Sequence, residues 1–304
     1  MLLAAVVMAG IGAWLFSRSP PPAPPVAPLE AASVPVLPAP PPPPPSTAPA
    51  PAPPSQTKEG CQGSPRFAGA AGANAASVQT LGWAPFGRPE VGWETYALII
   101  AQEIGSQCAP GDPAFAEALS RWQTGQGVPA DGILKPADFE IMRVATHRRR
   151  PFVAAFAQGC PPAPDPALLA PARSDEGYAG KAVTLRRDVL EAYRRMVAAA
   201  REEQPSIAGE PRLLTIVSAY RSPEEEARRC AGQDCSGSAR ALCSAHRTGT
   251  ALDLFVGYEP ASTDDANRLA QSRAPSYRWL VANAARFGFA PYVFEPWHWE
   301  WAGP

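Results

Sequence analysis

Eighteen of the chain's 39 prolines lie between Pro20 and Pro54. A stretch so rich in proline and alanine lacks the N–H donors of a helix or sheet and cannot bury a core; it favours extended polyproline II. Folding is therefore confined to a short N-terminal segment and to roughly 240 residues downstream, room for two domains. Residues 19–57 read as a Pro/Ala linker whose reach is on the order of 100 Å at ~3.1 Å per residue. A generic spacer or a ligand for a proline-binding domain are the alternative uses of such a tract.

The segment before the linker sets the compartment. Residues 2–16 form an apolar run about as long as a signal-peptide core and short for a membrane span of ~20 residues. Ser17-Arg18-Ser19-Pro20 follows, with no small-x-small cleavage site, which favours an uncleaved anchor in residues 1–18 over a cleaved signal. Either form predicts an exported chain in the periplasm or cell envelope, tethered to the inner membrane if the segment stays. The six cysteines, Cys61, Cys108, Cys160, Cys230, Cys235 and Cys243, agree with export and predict disulfides. Cys61 is expected to pair with Cys108. Two of Cys230, Cys235 and Cys243 are expected to pair with each other, leaving the third for Cys160. The net charge of -1 gives no basic face, so no nucleic-acid partner is expected.

Residues 61–150 read as a small helical domain. Tyr96, Ile99, Ile100 and Ile104 share one helical face. Asp112 is placed to cap a second helix opening at Pro113, with Phe115, Ala118, Leu119 and Trp122 as its apolar side. A turn at Asp131-Gly132 precedes a short helix from Pro136 carrying Phe139 and Met142. Trp122-Gln123, Gly127, Asp131-Gly132 and Pro136 together resemble the C-terminal half of the peptidoglycan-binding-like three-helix domain, although Lys135 stands where that family often has glycine. Residues 151–173, again with prolines, read as a connector.

Residues 174–304 make the last domain. Leu185, Val189, Ala192, Met196, Val197 and Ala200 predict an amphipathic helix. Residues 213–217 and 251–256 predict strands, residues 223–229 a short charged helix, and residues 276–287 a helix stopped by Gly288. Residues 295–301 alternate as a final strand, with Trp297, Trp299 and Trp301 on one face, read as core, and His298 and Glu300 on the other. This order predicts an α+β fold.

The chain has three histidines, His147, His246 and His298. Two fall in polar clusters of the last domain; His147 sits in a basic run read as a solvated helix end. His246 and Asp253 are seven residues apart, an odd spacing that puts them on opposite faces of a straight strand. They converge only if the chain turns between them, and Gly249 supplies a turn. Asp253 interrupts an apolar run, where a carboxylate is costly unless it is paired or bound to metal; a buried Asp–Arg pair is the plainer alternative. Two histidines and a carboxylate with an open fourth position make the donor set of a catalytic zinc site. Glu295, biased to extended backbone by Pro296, is the spare carboxylate for general-base work. Arg221 can stabilise a developing oxyanion or hold a substrate carboxylate.

These residues resemble the zinc D-alanyl-D-alanine carboxypeptidase/dipeptidase family of the vancomycin-resistance VanY type, part of a wider group with lysostaphin-like peptidases and the hedgehog signalling domain. Ser244, His246, Gly249, Ala251 and Asp253 fill the pattern Ser-x-His-x-x-Gly-x-Ala-x-Asp. Glu295 and His298 fill Glu-x-x-His, and Ser218-Ala219-Tyr220-Arg221-Ser222 stands for Ser-Gly-Tyr-Arg-Ser. The resemblance implies one catalytic Zn2+ held by His246, Asp253 and His298, with Glu295 as base, Arg221 stabilising the transition state and Ser244 helping to bind substrate. It implies a catalytic domain with a small antiparallel sheet flanked by helices, acting on peptidoglycan stem peptides, foremost as a D-Ala-D-Ala carboxypeptidase. Two departures bear on the substrate. Glu224, Glu225 and Glu226 stand where many relatives have a glutamine, and residues 230–243 form a cysteine-rich insert.

Other readings are a peptidoglycan endopeptidase of the same family and a non-enzymatic wall-binding protein, the latter opposed by the filled catalytic positions. A structural Cys₃His site from Cys230, Cys235, Cys243 and His246 leaves Asp253, Glu295 and His298 without a role. An iron oxygenase commonly spaces its first histidine and carboxylate two apart, not seven.

Overall fold

The computed structural model describes residues 60–232, 235 and 241–303. The expected N-terminal anchor and the expected linker lie outside the described residues. No helix among the described residues is long and apolar enough to cross a membrane.

The first part is helical, as the spacing predicts. Helix α1 (Ala68–Thr80) leads to a two-residue hairpin, β1 (Gly82–Trp83) with β2 (Glu90–Val91), then α2 (Ala97–Glu103), α3 (Pro113–Gln126), α4 (Pro136–Arg148) and α5 (Pro151–Phe156). Proline at the first position starts α3, α4 and α5, where its missing N–H costs nothing. Asp112 precedes α3 but its carboxylate accepts from the Ala109 N–H (2.8 Å) rather than from the helix. Gln123 is buried and joins the Asp131-Gly132 turn to α4: its Oε1 accepts from Gly132 N, and its Nε2 donates to Asp138 Oδ2. The Cys61–Cys108 disulfide closes this part as expected.

The segment read as a bare connector carries α5 and then β3 (Leu169–Pro171), which pairs antiparallel with β4 (Thr184–Arg186). Pro151 starts a helix here because it sits at the first position, where proline is tolerated best.

The last part contains α6 (Arg187–Glu203), α7 (Pro205–Ala208), β5 (Ile216–Ser218), α8 (Pro223–Cys230), β6 (Ala251–Leu254), α9 (Asp265–Arg273), α10 (Pro275–Asn283), β7 (Phe289–Tyr292) and β8 (Glu295–Trp301). The α+β expectation holds: the four strands form an antiparallel sheet in the order β5-β6-β8-β7, flanked by helices. Alternation along β6 sends Leu252 and Leu254 into the core and Asp253 to the other face. In register, Asp253 lies opposite His298. Helix α6 buries Val189, Ala192, Met196, Val197 and Ala200 of the predicted apolar stripe, with Leu190 and Tyr193 beside them, whereas Leu185 lies before the helix in β4, where it is buried by strand pairing with β3. The helix expected over 276–287 ends as α10 at Asn283 and continues as a 3-10 turn to Gly288, whose φ of +82° stops it.

One hydrophobic core runs through both parts, from Tyr96, Leu119 and Phe139 to Val189, Leu252 and Trp299. A buried polar cluster crosses the same boundary. Arg268 donates to Glu90 Oε1 (3.2 Å), to the Tyr96 hydroxyl (2.5 Å) and to the carbonyl of Phe294 (2.8 Å). The described residues accordingly form one compact unit.

Candidate metal centre

His246 sits in a 3-10 turn (Ala245–Thr248) that ends at Gly249 with φ +70°. A side chain there would also press on Arg186 and Leu169. This is the turn that the odd spacing required: the chain reverses hand at Gly249 and enters β6, which brings Asp253 back beneath His246. His298 comes from the neighbouring β8. One donor atom from each of His246, Asp253 and His298 lies within 4.8 Å of the others, and all three residues are buried. His246 Nε2 is 3.3 Å from Asp253 Oδ2, and His298 Nδ1 is 2.9 Å from Asp253 Oδ1. The partners of Asp253 are thus two histidines, not the arginine of the plainer alternative.

The outer ring nitrogens show how the set is oriented. His246 Nδ1 is 2.8 Å from the carbonyl of Ala219, which can only accept, so Nδ1 carries the proton and Nε2 presents a lone pair. His298 Nε2 faces Glu300 Oε1 at 3.4 Å, so its Nδ1 lone pair turns inward. Two imidazole lone pairs aimed at one carboxylate repel it unless a cation, proton or metal, stands between them. Histidines with outer nitrogens held by a carbonyl and a carboxylate are the usual company of a bound metal. The donor set therefore fits a divalent ion. Without one, protons serve: burial disfavours a charged His298, yet Asp253 and Glu300 outweigh it and push the imidazole up to about 9. Asp253, despite burial, is held well below the usual carboxylate range by the two histidines. The second group with metal-like spacing, Cys61, Cys108 and Asp112, has both sulfurs in a disulfide.

Glu295 stands beside this set, its Oε2 3.9 Å from His298 Nδ1. Burial pushes its carboxyl up to about 7, against the pull of His298. A carboxyl poised there is suited to proton transfer near neutrality. A cavity of about 210 Å³ opens over these groups, lined also by Arg221, Ser244 and Trp297. Arg221 donates from Nη1 to Ser244 Oγ (3.3 Å) and from Nη2 to Ser218 Oγ (3.2 Å). All six residues singled out in the sequence, Arg221, Ser244, His246, Asp253, Glu295 and His298, line this one cavity. Of the three tryptophans read as core, Trp299 is core and Trp301 packs against it, whereas Trp297 is buried against the cavity.

Sequence reasoning missed four residues. Glu226 is the one inward-facing member of the glutamate run, turned in by the capping box of Ser222 and Glu225. Its Oε1 accepts from the Ser244 N–H and hydroxyl, and its Oε2 from Arg247. Tyr292 lines the cavity with its ring 5.9 Å from that of His298. Glu300 was placed on the face of His298 by alternation, and that shared face was the available signal. Arg150, which meets Glu300, carried no signal.

The disulfides follow the expected scheme, Cys230–Cys235 and Cys160–Cys243. No described cysteine is free, which removes the Cys₃His alternative.

Three buried donors with a carboxylate to spare, set in a small antiparallel sheet, define a centre with the donor chemistry of a single-metal hydrolase. Residues 182–304 match the model of the VanY family, described as D-alanyl-D-alanine carboxypeptidase, and this chain carries a domain of that family. A peptidoglycan-directed carboxypeptidase or peptidase kind of function goes with it. No curated protein matches the chain.

Proposed function

We propose that the protein is an exported zinc-dependent D-alanyl-D-alanine carboxypeptidase acting on peptidoglycan stem peptides. The observation that carries this reading is the convergence of His246 Nε2, Asp253 and His298 Nδ1, with Glu295 alongside and Arg221 at the rim of one cavity. A Zn2+ held by those three residues supplies Lewis acidity toward the scissile carbonyl and the attacking water. Glu295 takes a proton from that water on its carboxylate and returns it to the leaving amine. Arg221, steadied by Ser218 and Ser244, faces the carbonyl oxygen as charge develops or holds the terminal carboxylate of the peptide. The Ser244 hydroxyl hydrogen is committed to Glu226 (2.5 Å), so its free lone pair is left to accept from a substrate N–H.

The cavity supports release of a small terminal residue. At 210 Å³ it falls below the ~300–1,000 Å³ of sites for drug-sized ligands. Three disulfides suit an oxidising compartment, the periplasm or cell envelope. In this reading the N-terminal segment tethers the enzyme and the helical part is of the peptidoglycan-binding-like kind.

The test is mass spectrometry of purified muropeptides incubated with the protein, with and without a chelator. Chelator-sensitive loss of one alanine is expected. A cut inside the stem or cross-link would make the protein an endopeptidase. Intact muropeptides in the presence of bound zinc would overturn the hydrolase reading.

A further inference from the structure

The segment that matches the family, residues 182–304, does not complete the surroundings of its own candidate metal ligand. Glu300 is fully buried, and both its oxygens are held from the junction of α4 and α5, 150 residues earlier. Arg150 Nε donates to Glu300 Oε1 at 2.8 Å and Nη2 approaches the same oxygen at 2.5 Å. The Phe152 N–H donates to Oε2 at 3.0 Å. Oε1 is also the atom 3.4 Å from His298 Nε2. Arg150 is itself fixed on three sides: its guanidinium lies 4.0 Å from the centroid of the Tyr292 ring, its Nη1 is 3.2 Å from His147 Nδ1, and Pro151 restricts its backbone to the extended conformation. The side chains of Arg150 and Glu300 are 8% and 1% exposed, so water does not substitute for either partner.

We infer that Arg150, from the helical part, is a positioning residue for the metal centre, acting through Glu300 to hold the His298 ring with Nδ1 toward Asp253. The inference rests on the reading of His246, Asp253 and His298 as metal ligands. Its physical content is a relay of orientation. The guanidinium pins Oε1, Oε1 holds the Nε2–H of His298, and the ring then has one tautomer and one rotation. If Arg150 is removed, Glu300 loses its anchor and the ring is free to turn. At the other end of β8, Arg268 of α9 donates to the Phe294 carbonyl and is itself tied to Glu90 and Tyr96 of the helical part. The helical part is thus built into the centre and does not hang beside it.

The experiment is Zn2+ affinity by competition with a chromophoric chelator, on the full chain, for wild type, Arg150→Met, Arg150→Lys, Glu300→Gln and the double variant Arg150→Met/Glu300→Gln. Leu119→Ala, a buried truncation in α3, controls for general loosening of the helical part. Arg150→Met is expected to weaken Zn2+ binding roughly 10–100-fold, with Arg150→Lys recovering part of the loss. The double variant is expected to bind no more weakly than Glu300→Gln alone, since the two residues act in series. Unchanged affinity in Arg150→Met, additive losses in the double variant, or an equal loss in Leu119→Ala would each overturn the inference. If Arg150→Met does not fold, Arg150→Lys against wild type decides, and unchanged affinity there counts against it. A wild-type chain that binds no Zn2+ would overturn the metal-ligand reading itself and the inference with it.

Discussion

Glu226 accepts both the backbone N–H and the hydroxyl of Ser244, at 2.9 and 2.5 Å, while its other oxygen takes the guanidinium of Arg247. The carboxylate is buried, so its three donors replace the water it gave up. It clamps α8 to the turn that carries His246.

Removing that clamp leaves Arg247 without its buried counter-charge. Glu226→Ala is expected to destabilise the protein by about 3–5 kcal/mol and to raise KM by freeing Ser244. Glu226→Gln keeps one acceptor and is expected to recover most of the KM effect. Chemical denaturation and steady-state kinetics on both variants check this; an unchanged denaturation midpoint in Glu226→Ala would contradict it.

Ligands and base are expected to separate cleanly. His246→Ala and Asp253→Ala should lose bound metal and activity together. Glu295→Ala should keep the metal and lose roughly 10²–10⁴ in kcat. Metal content by elemental analysis beside muropeptide turnover reads both. Hydrolysis retained in Glu295→Ala would sink the assignment of the base.

Glu295 sets a pH dependence in chelator-treated protein. Burial raises its carboxyl from 4.5 to about 7, so the folded state holds the proton more tightly than the unfolded chain. Below about pH 4.5 both states are protonated and nothing is lost. Between 4.5 and 7 the folded state binds more protons, and stability falls as pH rises through this window. Glu295→Gln should therefore raise the stability of the chelated protein by roughly 3 kcal/mol at pH 8 and leave it unchanged near pH 4. Thermal melts at the two pH values test this, and a gain equal at both would show that the carboxyl's charge is not the cause.

The Cys160–Cys243 disulfide ties the segment after α5 to the residue before Ser244 across 83 residues. Replacing both cysteines with serine is expected to cost about 2–5 kcal/mol. The same change should raise KM more than it lowers kcat, because Ser244 is loosened and Glu295 is not. Equal changes in the two constants would point to a general loss of folded protein instead.

Several features were legible in the residues because they obey local rules. The odd spacing of His246 and Asp253 demanded a turn, and Gly249 makes it in the left-handed region where glycine meets no Cβ penalty. Period-two alternation placed His298 and Glu300 on one face of β8. The apolar stripe of α6 and the proline starts of α3 and α4 follow from helical geometry. Even the cysteine pairing was narrowed by count and proximity along the chain.

What the tertiary structure alone decided is which distant surfaces meet. Three adjacent glutamates follow Pro223, and only the packing of α8 shows that Glu226 is the inward one. Arg150 ended a basic run with no mark of a buried role, and no pattern along the chain singled out Arg268. Each became a buried partner because a second element brought a carboxylate or carbonyl to it from across the fold. Periodicity and capping are properties of neighbouring residues and can be read along the chain. A contact such as Arg150 with Glu300 depends on the relative placement of whole elements, and that placement is set by the shared core.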